Sequence, residues 1–157
     1  MKKSYSKIAL SIGICLLVGF LSGFATQSAV GDWYGDLTKP FLNPPNWIFG
    51  PVWTVLYLLM GLSAGIVWSR GFHHKWVKTA LYHFGFQLIL NGLWSIVFFG
   101  FQNPLFGLLV IIALWILILR TIKWFRVVSK QAAYLLYPYL AWVSFATYLN
   151  FSIWILN

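Results

Sequence analysis

Long uncharged, largely apolar runs alternate with short polar ones along this chain, and their lengths decide what each run can form. A helix needs about 20 consecutive apolar residues to cross a hydrocarbon layer about 30 Å thick. No charge falls between Lys7 and Asp32, which predicts a first span near 8–28. Pro40 to Ser69 is again uncharged, with the helix expected at 47–69. The run from Thr79 to Leu119 is too long for one span, and "GFQNP" at 100–104 divides it. There Asn103 can cap a new helix and Pro104 can be its first residue. This gives spans near 79–100 and 104–124, and the run after Gln131 supplies a fifth at 131–156. The pattern predicts an all-α integral membrane protein, a single five-transmembrane-helix bundle over 1–157 with one long lid loop at 29–46.

Composition agrees. The chain is 61% hydrophobic, 20% aromatic and 8% charged, where a soluble domain is about a quarter charged. A net charge of +9 raises the question of nucleic acid. The basic residues, however, sit in short clusters between apolar runs, with no face wide enough to track a phosphate backbone. They read as membrane-flanking charges instead. The lone cysteine, Cys15, excludes an intrachain disulfide framework. The first span follows Lys2, Lys3 and Lys7 as a signal peptide would, but its apolar stretch exceeds the usual length of about 7–15 residues.

Loop charge gives an orientation. Ten of the eleven Lys and Arg residues fall on one side: Lys2, Lys3 and Lys7; Arg70, Lys75 and Lys78; Arg120, Lys123, Arg126 and Lys130. Only Lys39 is on the other. The bias predicts a cytoplasmic N-terminus and an outside C-terminus, in a plasma membrane of bacterial type. The 29–46 loop then lies outside, carrying both acidic residues, Asp32 and Asp36.

Acid–base chemistry is poorly supplied. Two loop carboxylates and no glutamate make a weak hydrolytic pair, and an Asp36–Lys39 ion pair shaping the loop is the expected arrangement. His73 and His74 read as solvated loop residues, and no metal-ligand set appears. No phosphate-binding glycine loop or nucleophile motif is present.

More informative is a polar stripe in the third span. His83, Gln87, Asn91 and Ser95 recur every fourth residue and share one face. Polar groups in lipid turn toward the bundle interior or a cavity. For Gln87 and Ser95, helix–helix hydrogen bonding is an equal alternative to a site. Asn91, beside Trp94, is read as ligand-facing, and His83 as interfacial. In the fifth span Pro138 removes a backbone donor and predicts a kink. Trp142, Phe145, Ala146 and Leu149 follow it at helical spacing. Trp68, Trp76 and Trp124 read as interfacial belt residues, whereas Trp53 lies two turns inside its span and its indole N–H needs a partner. "GFLSG" at 19–23 and "GLSAG" at 61–65 match a small-residue helix-contact pattern, either within the bundle or between subunits.

Three blocks carry a family resemblance: "WYGDLTKPFLNPPNWIFGPVWTVLYLLMG" at 33–61, "QLILNGLWSIVFFG" at 87–100 and "LLYPYLAWVSFATYLN" at 135–150. They resemble the tryptophan-rich sensory protein / translocator protein family (TspO/MBR, the peripheral benzodiazepine receptors), with matching spacing over nearly the whole chain. The resemblance implies a five-helix bundle, usually a homodimer, with a pocket closed by the first interhelical loop. It implies porphyrin, haem, sterol or benzodiazepine-type ligands, with no tightly bound cofactor and no metal. Its pocket residues map here to Trp33, Tyr34, Pro44, Trp53, Asn91, Trp94, Trp142, Phe145 and Ala146. In some bacterial members light-driven protoporphyrin breakdown involves two tryptophans that match Trp53 and Trp142, here the catalytic candidates.

A tetrapyrrole needs a flat aromatic slot and polar donors near the membrane surface. Trp53, Trp94 and Trp142 can supply the slot, and Asn91, the loop amides and Lys39 the donors. Binding protoporphyrin IX or a haem-like tetrapyrrole is therefore the first functional expectation. Light- and oxygen-dependent degradation is the second, and transport of porphyrin or lipid the third. Against specific sterol recognition, Phe151 and Ile155 stand where the family's sterol motif has Tyr and Arg, although that motif is weak even when complete.

Overall fold

The five predicted spans and the loop after the first of them fold into seven α-helical segments among the described residues. The structure, a computed structural model, describes residues 2–157, apart from the side chains of Lys2, Lys3 and Ser28. Helix α1 covers Lys2–Val30, α2 Trp33–Asp36, α3 Asn46–Ser69, α4 Lys75–Ser95, α5 Pro104–Val128, α6 Lys130–Leu135 and α7 Tyr137–Leu156. Five stretches are long and apolar enough to cross a membrane: Ser4–Gln27, Asn46–Ser69, Lys75–Gly100, Pro104–Val128 and Lys130–Leu156. The expected flanking role of Lys2 and Lys3 lies outside the described residues.

The boundaries follow local chemistry. After α4 the backbone widens into a π-turn at Ile96–Gly100, which the apolar pattern does not announce. Gln102 then adopts a φ of 55°, and the Asn103 side chain accepts from the Phe106 N–H at 3.0 Å to start α5. In the last span the helix breaks at Leu136, and Pro138 falls in the first turn of α7, where its missing N–H is tolerated. At the start of α3 it is Pro45 that holds the cap position, without a side-chain bond, and Asn46 is the first helical residue.

Neighbouring helices close a ring in the order α1, α3, α6 with α7, α5 and α4. Its tightest seam joins α1 to α3. A Cβ on Gly61 would lie 2.3 Å from the Ile12 Cα, and one on Gly65 2.5 Å from the Ile8 Cα. Gly19 is covered by the Tyr57 ring, 2.5 Å from where its Cβ would be. The small-residue motif at 61–65 is thus used inside the bundle, where it lets two backbones approach. Ser63 adds a link across to α6, donating to the Ala132 carbonyl at 2.6 Å.

Within the 29–46 loop, α2 buries Tyr34, whose hydroxyl donates to Asn43 Oδ1 at 2.8 Å. Burial pushes the Tyr34 phenol up to about 12 despite that bond, so it remains a donor throughout the physiological range. The expected Asp36–Lys39 ion pair does not form. Lys39 Nζ donates instead to the Gly35 and Leu37 carbonyls, each at 3.3 Å, and lies 4.9 Å from the Tyr34 ring centre. Asn157, just past α7, clasps the loop. Its Oδ1 accepts from the Thr38 N–H at 3.1 Å and its Nδ2 donates to the Thr38 carbonyl at 2.9 Å.

This clasp gives a first prediction. Asn157→Ala removes the side chain bonded to the Thr38 amide, a loss of about 1 kcal/mol. Deuterium exchange at Thr38 is expected to quicken about fivefold, with helix interiors unchanged. An unchanged Thr38 rate means the loop is held by other contacts.

Candidate functional site

A cavity of about 750 Å³ opens beneath the loop, between α1, α3, α7 and the end of α4. Its walls are rich in aromatics: Phe20, Phe24, Tyr34, Phe49, Trp53, Tyr57, Trp94, Phe98, Phe99 and Trp142. Proline and helix geometry set this up. Pro45 starts α3, so Phe49, Trp53 and Tyr57 follow at intervals of four on one face. The break at Leu136 starts α7, and Trp142, Ala146, Leu149, Asn150 and Ile153 then line the opposite wall.

Aromatic rings meet around Trp53. Its ring centre lies 5.8 Å from Tyr57, 6.3 Å from Trp94 and 6.5 Å from Tyr139. Trp94 stacks on Phe98 at 5.5 Å and donates its indole N–H to Asn150 Oδ1 at 2.9 Å. Asn150 in turn donates to the Pro104 carbonyl at 2.7 Å, tying this wall to the start of α5. The Trp142 indole N–H is buried without a hydrogen-bond partner among the described residues. Leaving such a donor unpaired costs about 1–3 kcal/mol.

Of the nine sequence-derived pocket residues, Tyr34, Trp53, Trp94, Trp142 and Ala146 line the cavity. The other four do not. Trp33 packs its ring on Phe98 at 5.4 Å, Pro44 accepts from Asn43 Nδ2 at 3.3 Å, and Phe145 lies against Trp142 at 5.6 Å. Asn91 is bonded within the bundle. It is fully buried, its Oδ1 accepting from the Tyr57 hydroxyl and its Nδ2 donating to Tyr139 at 2.8 Å. Tyr139 passes the chain on to Gln87 Oε1 at 2.7 Å.

The polar stripe of α4 therefore divides. Gln87 and Asn91 join helices, Ser95 faces the cavity, and His83 bonds the Thr79 carbonyl at 2.8 Å near the basic end. Sequence reading missed Tyr57, Asn150 and the whole of the α1 wall. Tyr57 and Asn150 were recoverable, each lying four residues beyond a named candidate, Trp53 and Ala146. On α1, Gly19 and Gly23 were read only as a helix-contact motif, and Leu16 carries no polar group that would single it out.

The fold is thus a membrane protein of five apolar spans around an aromatic-lined cavity beneath the first interhelical loop. The family follows from comparison. The profile of the TspO/MBR family matches residues 11–155, and the chain belongs to that family. The Tryptophan-rich protein TspO of Chlorobaculum tepidum is 47% identical over 157 residues, covering 100% of this chain and 99% of the relative. That of Archaeoglobus fulgidus is 49% identical over 152 residues, covering 96% and 97%. The human translocator protein is 41% identical over 125 residues, covering 78% of this chain and 73% of its own. The protein is thus an integral membrane member of a sensor and translocator family, in contact with the lipid bilayer.

Proposed function

We propose that the protein is a membrane receptor for porphyrins, with protoporphyrin IX or a haem-like tetrapyrrole held in the cavity under the 29–46 loop. The observation that carries this reading is the cavity itself. Its volume of about 750 Å³ lies within the range of about 300–1,000 Å³ usual for small-molecule sites. Three tryptophans, Trp53, Trp94 and Trp142, stand around it on three helices. A macrocycle stacks on such rings, and an acceptor on the ligand meets the unpartnered Trp142 N–H. The loop faces outward and the N-terminus is cytoplasmic, as the basic bias suggests. The functional unit is a homodimer. Its interface avoids the motif at 61–65, which α1 already covers.

A second reading, light- and oxygen-dependent porphyrin degradation, draws support from the ring contacts of Trp53 with Tyr57, Trp94 and Tyr139. Oxidisable aromatics in contact can share the loss of an electron to an excited ligand. One experiment treats both readings. Purified protein is titrated with protoporphyrin IX in the dark and then illuminated in air, beside a Trp53→Phe/Trp142→Phe variant. Saturable dark binding that quenches tryptophan fluorescence, weakened at least tenfold in the variant, supports the receptor. A product spectrum absent from free porphyrin and from the variant supports turnover. Wild-type protein without saturable binding would sink both.

A further inference from the structure

At the end of the bundle away from the cavity, α5 and α7 flank a second groove lined by Leu119, Ile122, Lys123, Arg126, Tyr137 and Leu140. The break at Leu136 shapes it. Helix α6 packs against both α3 and α5, while α7 sets off separately along α5. The groove is graded in depth. On α5, Leu119 lies two turns inward of Arg126, with Ile122 and Lys123 between them; on α7, Leu140 lies one turn inward of Tyr137. Arg126 and Tyr137 therefore sit outermost, Lys123 about one turn further in beside Ile122, and Leu119 and Leu140 form the inner apolar end of the groove.

No carboxylate answers these cations. The only acidic residues of the chain, Asp32 and Asp36, belong to the loop at the opposite end. Lys123 is exposed, its ammonium 5.6 Å from the Trp124 ring centre, and Arg126 closes the last turn of α5, also exposed. Two cations and a hydroxyl match a phosphate, the guanidinium by paired N–H donors. Apolar walls directly below match an acyl chain, which a free anion lacks.

We propose that this groove is a binding site for an anionic phospholipid, its phosphate held by Lys123, Arg126 and Tyr137 and one acyl chain laid along Leu119 and Leu140. Basic pockets between membrane helices are suited to such headgroups. The site is separate from the aromatic cavity and does not depend on what that cavity binds.

The test is native mass spectrometry of the full chain released from mixed micelles holding equal phosphatidylglycerol and phosphatidylcholine. The wild type is expected to retain one phosphatidylglycerol in preference to phosphatidylcholine. Lys123→Gln/Arg126→Gln is expected to lower that adduct on the order of tenfold. Arg120→Gln/Lys130→Gln removes the same charge from the same end without touching the groove and is expected to keep most of it. Lys123→Arg, which keeps the charge, should retain binding, and circular dichroism confirms that each variant is folded. Equal retention of the two lipids, or equal loss in both double variants, overturns the proposal in favour of diffuse surface charge. Displacement of the lipid by millimolar inorganic phosphate overturns it in favour of a free-anion site.

Discussion

Gly61→Ala is expected to lower the thermal unfolding midpoint by about 5–10 °C, and Gly61→Leu to prevent recovery of folded protein. The added methyl meets the Ile12 backbone, its Cα at 2.3 Å and its N at 2.8 Å. A flexible side chain can rotate away from such a contact, but a helix backbone cannot. The whole of α1 must therefore shift from α3. Overpacking of this kind costs about 1–3 kcal/mol and sometimes more. Displacing α1 also disturbs Gly65 against Ile8 and Gly19 against Tyr57, so the losses compound.

Gly85→Ala is the matched control. Nothing lies within 4 Å of the position its Cβ takes, and replacing a mid-helix glycine by alanine favours the helix by about 1 kcal/mol. Midpoints followed by circular dichroism in one detergent should move in opposite directions for the two variants. A Gly61→Ala protein as stable as the wild type contradicts the seam described here.

The five spans were legible because hydrocarbon thickness converts directly into run length, and because "QNP" and Pro138 interrupt runs in places where backbone chemistry demands it. The π-turn at Ile96–Gly100 was not, since it alters hydrogen-bond register without altering hydropathy. At the site, the aromatic wall was legible as far as helical spacing and family resemblance reached. Its polar members were less so. Asn91 and Asn150 both lie at helical spacing from pocket candidates, and that spacing alone does not say which of the two faces the cavity. The structure separates them by partner. Asn91 is spent on two tyrosines below the cavity, whereas Asn150 stands on the cavity wall and fixes Trp94. The Asp36–Lys39 pair failed for a related reason. Sequence proximity brings opposite charges within reach, but in an exposed loop an ion pair is worth little, and nearby carbonyls and the Tyr34 ring took the lysine instead.

Gly23→Phe is expected to abolish high-affinity ligand binding, by about 100-fold or more, while leaving the fold intact. Two glycines one helical turn apart make the contrast. Gly19 and Gly23 belong to the same motif and both line the cavity, yet their surroundings differ. The space beside Gly19 is filled by the Tyr57 ring, so even alanine there must push Tyr57, and with it the bond to Asn91. Beside Gly23 nothing lies within 4 Å. A phenyl ring at that position starts from open space on the cavity wall and occupies the volume the proposed macrocycle needs. Binding and stability should therefore separate: Gly19→Ala lowers the unfolding midpoint and disturbs binding indirectly, whereas Gly23→Phe removes binding at an unchanged midpoint. Protoporphyrin titration and thermal unfolding on the same samples measure both quantities. If Gly23→Phe binds protoporphyrin as tightly as the wild type, the ligand does not use this cavity, and the receptor reading loses the observation on which it stands.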